Sequence, residues 1–124
     1  MTFSGDYPVS PVNDPFWAIQ NAVTRNLSDP GHYDVEAIKS QDDEKWLRGP
    51  HERISLKEAI EAYTINGAYQ LFRDEETGSL KAGKSADFII LSKNPFETDP
   101  VLLYTVSPEE VYIDGGLVYS SSVL

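Results

Sequence analysis

Asp6 is the side chain in this sequence whose position best suits catalysis. It ends residues 1–6, which the sequence predicts to be the tail of a strand, and comes directly before Tyr7-Pro8. A carboxylate at a strand end of a β/α protein can ligate a metal ion or take a proton from a metal-bound water. The same carboxylate can instead cap the backbone N–H groups of a turn, and position alone favours that simpler interpretation.

A second pattern, Gly78–Ser85, matches the G-x-x-x-x-G-K-S form of a phosphate-binding loop. Such a loop needs a strand before it and a helix after it, because the helix N-terminus and the loop N–H groups face the phosphates. Here a predicted helix precedes the pattern, and a predicted strand over residues 86–91 follows it. The order of elements therefore indicates a polar turn with a solvated Lys84, and nucleotide binding is only a minor alternative.

Other residue types that carry chemistry are scarce. The chain has no cysteine, which excludes disulfides, thiolate nucleophiles and cysteine zinc sites. His32 and His51 follow Pro-Gly and Gly-Pro pairs, so they are predicted to lie in surface loops. They form neither of the two common metal-site patterns, His-x-His or His-Glu-x-x-His. The acidic run at residues 42–44 is predicted to be a solvated face.

Charge narrows the range of partners. The 124 residues include 20 acidic and 10 basic side chains, for a net charge of −10. Nucleic acid and anionic membrane surfaces would be repelled, so neither is an expected partner. No apolar run approaches the length of a membrane-spanning helix, and no signal peptide is visible, so the expected location is the cytoplasm.

The elements that position these residues begin with a predicted helix over residues 15–26. Asp14 is its expected N-cap, and Pro15 takes the first helical position. Apolar side chains then recur at spacings of three and four, as on one face of an amphipathic helix. They are Phe16, Ile19 and Val23. Residues 28–53 are polar and weakly periodic, which predicts a long excursion with at most one short helical turn.

Two further helices are predicted before residue 76. Ser55 and Glu58 form a capping box that begins a helix over residues 55–64. A shorter helix is expected to continue to about residue 72. The joint is placed at Asn66-Gly67, because a glycine inside a helix costs about 1 kcal/mol relative to alanine.

Strands are predicted after residue 76. Residues 86–91 contain a continuous apolar run, which is typical of a buried strand. Residues 111–119 hold two apolar runs around Asp114-Gly115-Gly116, which predicts a hairpin whose turn tolerates positive φ. Helices before residue 76 and strands after it indicate the α+β class.

Several segments together resemble the metal-dependent amidohydrolases. The nearest subgroup is that of large-insertion amidohydrolases, some of them labelled exoenzyme-regulatory proteins, and the resemblance covers essentially the whole chain. One segment is similar to the family's G-S-L-x-x-G-K-x-A-D-hydrophobic stretch, another to its T-x-N-x-A helix junction, a third to its closing hairpin, and the rest to its last barrel strand and helix. These segments are residues 78–91, 64–68, 111–119, and Gly5–Val9 with Asp14-Pro15 and Thr24-Arg25.

The resemblance implies a (β/α)₈ barrel followed by a β-sandwich. Residues 1–76 would be the C-terminal end of the barrel, and residues 77–124 would be C-terminal strands of the sandwich. A barrel alone needs about 250 residues. The chain is therefore expected to be a C-terminal fragment of a longer hydrolase.

The resemblance also implies a site. Asp6 matches the aspartate that ends the eighth strand, where it would be metal ligand and catalytic base. Tyr7, Ser10 and Asn13, on the following loop, are the candidate substrate contacts. The longer hydrolase would use a divalent metal, expected to be zinc, to activate a water molecule. That water would attack a non-peptide C–N or related bond. Because the chain lacks the family's histidine ligands, the fragment alone is expected to bind no metal and to be inactive.

The same truncation predicts association. A barrel cut down to its last strand leaves an open edge, and the apolar face of the helix over residues 15–26 would face water. The expected partner is a second copy of the chain, through that helix or the strands at 86–91 and 111–119, or else the missing N-terminal part of the enzyme. The alternative to a hydrolase fragment is a protein of another functional class, a stand-alone interaction module without catalytic activity.

Overall fold

The computed structural model describes residues 1–4 and 12–122. Within these ranges, helices precede a three-stranded antiparallel sheet, so the predicted α+β class is confirmed. The helices are α1 Pro15–Thr24, α2 Leu56–Tyr63 and α3 Ile65–Gln70. The strands are β1 Phe88–Leu91, β2 Pro108–Ile113 and β3 Gly116–Ser120. Short 3₁₀ turns occur at Pro50–Glu52, Pro95–Glu97 and Pro100–Thr105.

Helix α1 begins where the sequence predicts. The Asp14 carboxylate accepts a hydrogen bond from the Phe16 N–H at 2.8 Å, which satisfies one of the donors left free at a helix start. The helix ends at Thr24, two residues earlier than predicted. Arg25 adopts a left-handed conformation with φ of 54°, and its N–H bonds to the Asn21 carbonyl.

The capping box of α2 is confirmed, since Ser55 and Glu58 each accept a hydrogen bond from the other's backbone N–H. The predicted joint at Asn66-Gly67 is wrong. The break lies at Thr64, with φ of −120° and ψ of −99°, and Gly67 is inside α3. The propensity cost of one glycine is small enough for tertiary packing to outweigh it.

Residues 1–4 are not the predicted strand tail, since this described part of the segment has no regular secondary structure. Phe3 instead lies against the end of α2. Its N–H donates to the Ala62 carbonyl at 3.2 Å, and its ring contacts the Tyr63 ring edge to face at 5.5 Å. The polar excursion over 28–53 contains one 3₁₀ turn, as predicted.

The core centres on Ile19, Ala59 and Leu103, with Phe16 and Val23 packed against it. The expectation that the apolar face of α1 would face water is therefore wrong. The Pro100–Thr105 turn and α2 cover that face, because the chain folds back across it after the first strand.

The sheet runs β1-β2-β3 and lies apart from this core. Phe88 pairs with Tyr112, and Val111 pairs with Tyr119. The predicted hairpin is confirmed. Asp114 and Gly115 have φ values of 50° and 75°, as a type I′ turn requires. The prediction of a buried strand at 86–91 is wrong for this chain, because Ile89 is 56% exposed.

No helix among the described residues is long and apolar enough to cross a membrane.

Candidate functional site

The predicted site residues fall mostly on the segment that precedes α1. Asp6, Tyr7 and Ser10 lie outside the described residues. Asn13 is described, is exposed and lines a cavity of about 320 Å³. Ser4 and Val12, the described residues that flank positions 5–11, line the same cavity. Of the four predicted residues, the structure therefore places one, at the wall of a cavity beside the start of α1.

Aromatic side chains form much of that wall. Trp17 is buried, and its ring centroid lies 5.2 Å from His32 and 5.9 Å from Tyr33. His32 and Tyr33 in turn meet edge to face at 4.9 Å. These contacts hold the polar excursion against the N-terminal half of α1. The sequence predicts only a surface loop for His32, because its spacing from Trp17 follows no local period.

Tyr63 closes the cavity from the side of α2. Partial burial, and secondarily the nearby Asp14 carboxylate, raise the pKa of its phenol above the ordinary value. The phenol therefore keeps its proton to a higher pH than an ordinary tyrosine, and its hydroxyl remains a hydrogen-bond donor.

The described side chains do not form a metal centre. Across 1–4 and 12–122, no group of three or more His, Asp or Glu residues could hold an ion. His32 is engaged with aromatic rings, and His51 lies in the Pro50–Glu52 turn. Zinc sites take three or four protein ligands. The described donor set does not fit a divalent cation.

The Gly78–Ser85 pattern lies between α3 and β1, so a strand follows it, as the sequence indicates. The prediction of a solvated Lys84 is wrong. Its ammonium is half-buried and donates to the Asp74 carbonyl, to the Thr77 carbonyl at 3.3 Å and to the Ser79 hydroxyl at 2.8 Å. The lysine that a phosphate loop would direct at a nucleotide is here the centre of a folded turn.

Asp87, which directly precedes β1, is a second centre of hydrogen bonds beside Lys84. Its carboxylate accepts hydrogen bonds from the Asp114 N–H at 2.8 Å, the Ser85 hydroxyl at 2.8 Å and the Thr77 hydroxyl at 3.0 Å. These bonds, the backbone one foremost, lower the pKa of the carboxyl below its ordinary value. Asp87 thus joins the turn after α3 to the hairpin β2–β3.

A larger cavity, of about 500 Å³, lies at the C-terminal end of α1. We call it the arginine cleft. Two guanidinium groups, two side-chain amides and several apolar side chains line it. The lining residues include Asn21, Arg25, Asn26, Tyr33, Val35, Trp46 and Arg48. The sequence does not predict this cleft, because Arg25 and Arg48 are 23 positions apart in the chain.

Hydrogen bonds between the end of α1 and the backbone of the excursion build the cleft. The Arg48 N–H donates to the Arg25 carbonyl at 2.9 Å, and Arg25 Nε donates to the Arg48 carbonyl at 3.2 Å. The Asn26 amide donates to the carbonyls of Gln41 and Asp43 at 3.1 and 2.8 Å. The excursion is therefore tied to the end of α1 at three points.

Comparison with known proteins gives the family. A profile of the amidohydrolase family matches residues 1–119. The Bacillus subtilis (strain 168) protein named amidohydrolase YtcJ is 32% identical over 121 residues, which is 94% of this chain and 20% of that protein. The N-substituted formamide deformylase of Arthrobacter pascens is 36% identical over 70 residues, 56% of this chain and 13% of that enzyme.

A third relative is the imidazolonepropionase of Picrophilus torridus, 44% identical over 62 residues, 50% of this chain and 16% of that enzyme. No solved structure gives a significant match. The chain spans about a fifth or less of the length of these relatives. It is a member of the amidohydrolase family and corresponds to a C-terminal part of such a protein.

Proposed function

We propose that this chain is the C-terminal share of a longer, metal-dependent hydrolase that cleaves a non-peptide C–N or related bond. The observation that carries the proposal is the family match over residues 1–119. The name N-substituted formamide deformylase denotes removal of a formyl group from nitrogen, which is a reaction of that class. Imidazolonepropionase is a recurring name among the relatives of this chain.

Asp6 is the proposed contribution of this chain to catalysis, as ligand and base beside a metal held by the rest of the polypeptide. Tyr7, Ser10 and Asn13 are the proposed substrate contacts. Asn13 supports this assignment because its cavity also has Ser4 and Val12, the neighbours of the Asp6 segment, in its wall. The described side chains form no cation site. We therefore propose that the chain by itself binds no divalent metal tightly and is inactive.

The test uses the purified 124-residue chain with added Zn²⁺ or Mn²⁺. Amide, lactone and cyclic-urea substrates should be hydrolysed no faster than in buffer, and calorimetry should show at most weak metal binding. The matched variant is Asp6→Asn, which should behave like the parent chain. Hydrolysis faster than in buffer would overturn the proposed inactivity. Stoichiometric zinc binding with a submicromolar Kd that Asp6→Asn abolishes would overturn the proposed lack of a metal site.

We infer further that residues 1–76 belong to a barrel and residues 77–124 to a sandwich. The sheet supports this division, because both of its faces carry exposed apolar side chains. On one face lie Ile89 and Tyr119, 56% and 47% exposed, and on the other lies Leu117, 53% exposed. A three-stranded sheet needs a covering layer to be stable. In a longer protein, further strands would supply it.

For the isolated chain, we propose that a second copy covers the sheet. Helix α1 is excluded from this role, since its apolar face is already packed against the core. Light scattering should show a dimer, and Ile89→Lys should shift it toward monomer. Leu80→Lys is the control, because Leu80 is 75% exposed but lies off the sheet.

Salt gives an independent readout of the same contact. Two chains of charge −10 repel each other, so added salt should strengthen the dimer. A monomer at high protein concentration and moderate salt, with cooperative unfolding, would contradict the proposal. Equal weakening by Ile89→Lys and Leu80→Lys would contradict the assignment to the sheet.

A further inference from the structure

We propose that the arginine cleft binds a small organic carboxylate that carries a flat apolar group. The cleft adjoins the cavity proposed for catalysis, since Asn21 and Tyr33 line both, but its two arginines lie at the C-terminal end of α1. Asp14 caps one end of α1, and Arg25 follows the other end. Ten helical residues separate these ends by about 15 Å. The inference does not depend on the proposed hydrolase activity.

Charge is the first argument. Arg25 is paired with Glu52, whose carboxylate lies 2.8 Å from its guanidinium. Arg48 has no carboxylate partner among the described residues, and its guanidinium donates only to the neighbouring Leu47 carbonyl at 3.0 Å. In a chain of charge −10, an arginine without an acidic partner at a cavity wall is an open position for an anion. Arginine suits a carboxylate, because its planar donors can bind both oxygens.

Part of the cleft wall is apolar and aromatic. Tyr33, Val35 and Trp46 line the cleft beside Arg48. The Lys45 ammonium lies 5.5 Å from the centroid of the Trp46 ring, so a second cation is close to this aromatic wall. A volume of about 500 Å³ is that of a small-molecule site rather than of a simple ion. The ligand is therefore expected to pair a carboxylate with a ring that packs on these side chains.

The cleft is largely preformed. The Arg25 backbone is fixed by its left-handed conformation and by the bond from its N–H to Asn21. The two bonds between Arg25 and Arg48 hold the excursion in place. Both of them use backbone atoms of Arg48, so replacement of the Arg48 side chain removes the charge and leaves the wall intact. Little ordering is then needed on binding.

The experiment titrates the ¹⁵N-labelled chain with phenylacetate and follows the indole N–H signals of its two tryptophans. Trp46→Phe assigns the signal that belongs to the cleft. Phenylacetate should shift the Trp46 signal in a saturable way. The uncharged analogue 2-phenylethanol tests the carboxylate, and acetate tests the ring; each should bind at least about tenfold more weakly.

The decisive variants are Arg48→Gln and its matched control, Arg73→Gln. Arg73 is exposed, pairs with Glu76 and lies outside the cleft. Arg48→Gln should raise the Kd for phenylacetate at least about tenfold, whereas Arg73→Gln should leave it unchanged. Arg48→Lys should fall between them, because it keeps the charge and loses the two-pronged geometry. The amide spectrum of each variant checks that it is folded.

Three results would overturn the proposal: no saturable shift with phenylacetate, an equal Kd in Arg48→Gln and the parent chain, or equal binding of phenylacetate and 2-phenylethanol. A Kd raised equally by Arg73→Gln would show a response to overall charge alone and would also overturn it.

Discussion

The side chain of Gln20 and the backbone of Tyr104 are joined across 84 positions of the sequence. Gln20 is fully buried, and its carbonyl oxygen accepts a hydrogen bond from the Tyr104 N–H at 2.9 Å. Its amide group donates to the carbonyls of Leu27 and Val101 at 3.1 and 3.0 Å. One glutamine therefore satisfies three backbone groups and holds the Pro100–Thr105 turn on α1. A buried amide is tolerated only when it is bonded in this way.

Gln20→Leu should lower the free energy of unfolding by about 2–3 kcal/mol, because it leaves one N–H and two carbonyls without a partner. Urea denaturation measures the change. Gln70→Leu is the control, since Gln70 is exposed and bonds only to the Thr2 hydroxyl among the described residues. That variant should change stability by no more than about 0.5 kcal/mol. Equal effects would show that the bonds of Gln20 contribute nothing specific.

Two glycines of the same turn should respond differently to alanine. At Gly78, with φ of 84°, an added Cβ would lie 2.6 Å from the Ala68 Cβ and 3.0 Å from the Ile65 Cα. At Gly83, with φ of 92°, it would meet nothing within 4 Å. Gly83→Ala should cost about 1–2 kcal/mol for the left-handed backbone alone. Gly78→Ala should cost about 2 kcal/mol more, because α3 must move.

Thermal unfolding of the two glycine variants provides the comparison. Similar melting temperatures would show that Gly78 does not contact α3 in solution.

Lys84→Ala should lower the free energy of unfolding by about 1–2 kcal/mol, because it removes the donor that joins Asp74, Thr77 and Ser79. Lys81→Ala is the matched control, with a lysine that is exposed on the same turn. It should have little effect. If Mg-ATP raised the melting temperature of the chain without substitutions but not that of Lys84→Ala, the result would indicate that Lys84 binds a nucleotide, and it would contradict the purely structural role.

The lowered pKa of Asp87 predicts that the stability of the fold depends on pH. Its pKa is lowered in the folded chain, so its bonds stabilise the fold at neutral pH, and this contribution is lost as the pH falls below the ordinary carboxyl range near about 4. Asp87→Asn should be less stable than the parent chain at pH 7. The difference should shrink on acidification, because the parent carboxylate is then protonated as well.

Urea midpoints at neutral and acidic pH measure this difference. Glu75→Gln, at an exposed position of the neighbouring turn, should leave the midpoint and its pH dependence unchanged. A constant difference between Asp87→Asn and the parent chain at all pH values would contradict a role for the charge.

The sequence by itself determined the helix starts and the turn that depend on contacts between residues close together in the chain. Asp14 with Pro15 sets the start of α1, Ser55 with Glu58 sets the start of α2, and Asp114 with Gly115 sets the hairpin turn. Each depends on backbone geometry and hydrogen bonds within about four residues, so it can be read without a fold. Two of these local signals, Asp14 with Pro15 and Asp114 with Gly115, also belong to the segments that carry the family resemblance.

Tertiary structure decided what depends on distant residues. Thr64 rather than Gly67 is the joint of α2 and α3, and α3 packs closely against Gly78, which lies beyond the end of that helix. Gln20 is polar and reads as a solvent-facing position, yet it is buried because backbone groups more than 80 residues away complete its bonds. The arginine cleft exists only because residues 25 and 48 are brought together. Pairings of this range leave no period in the sequence, since their energy depends on contacts that form only after the chain has folded.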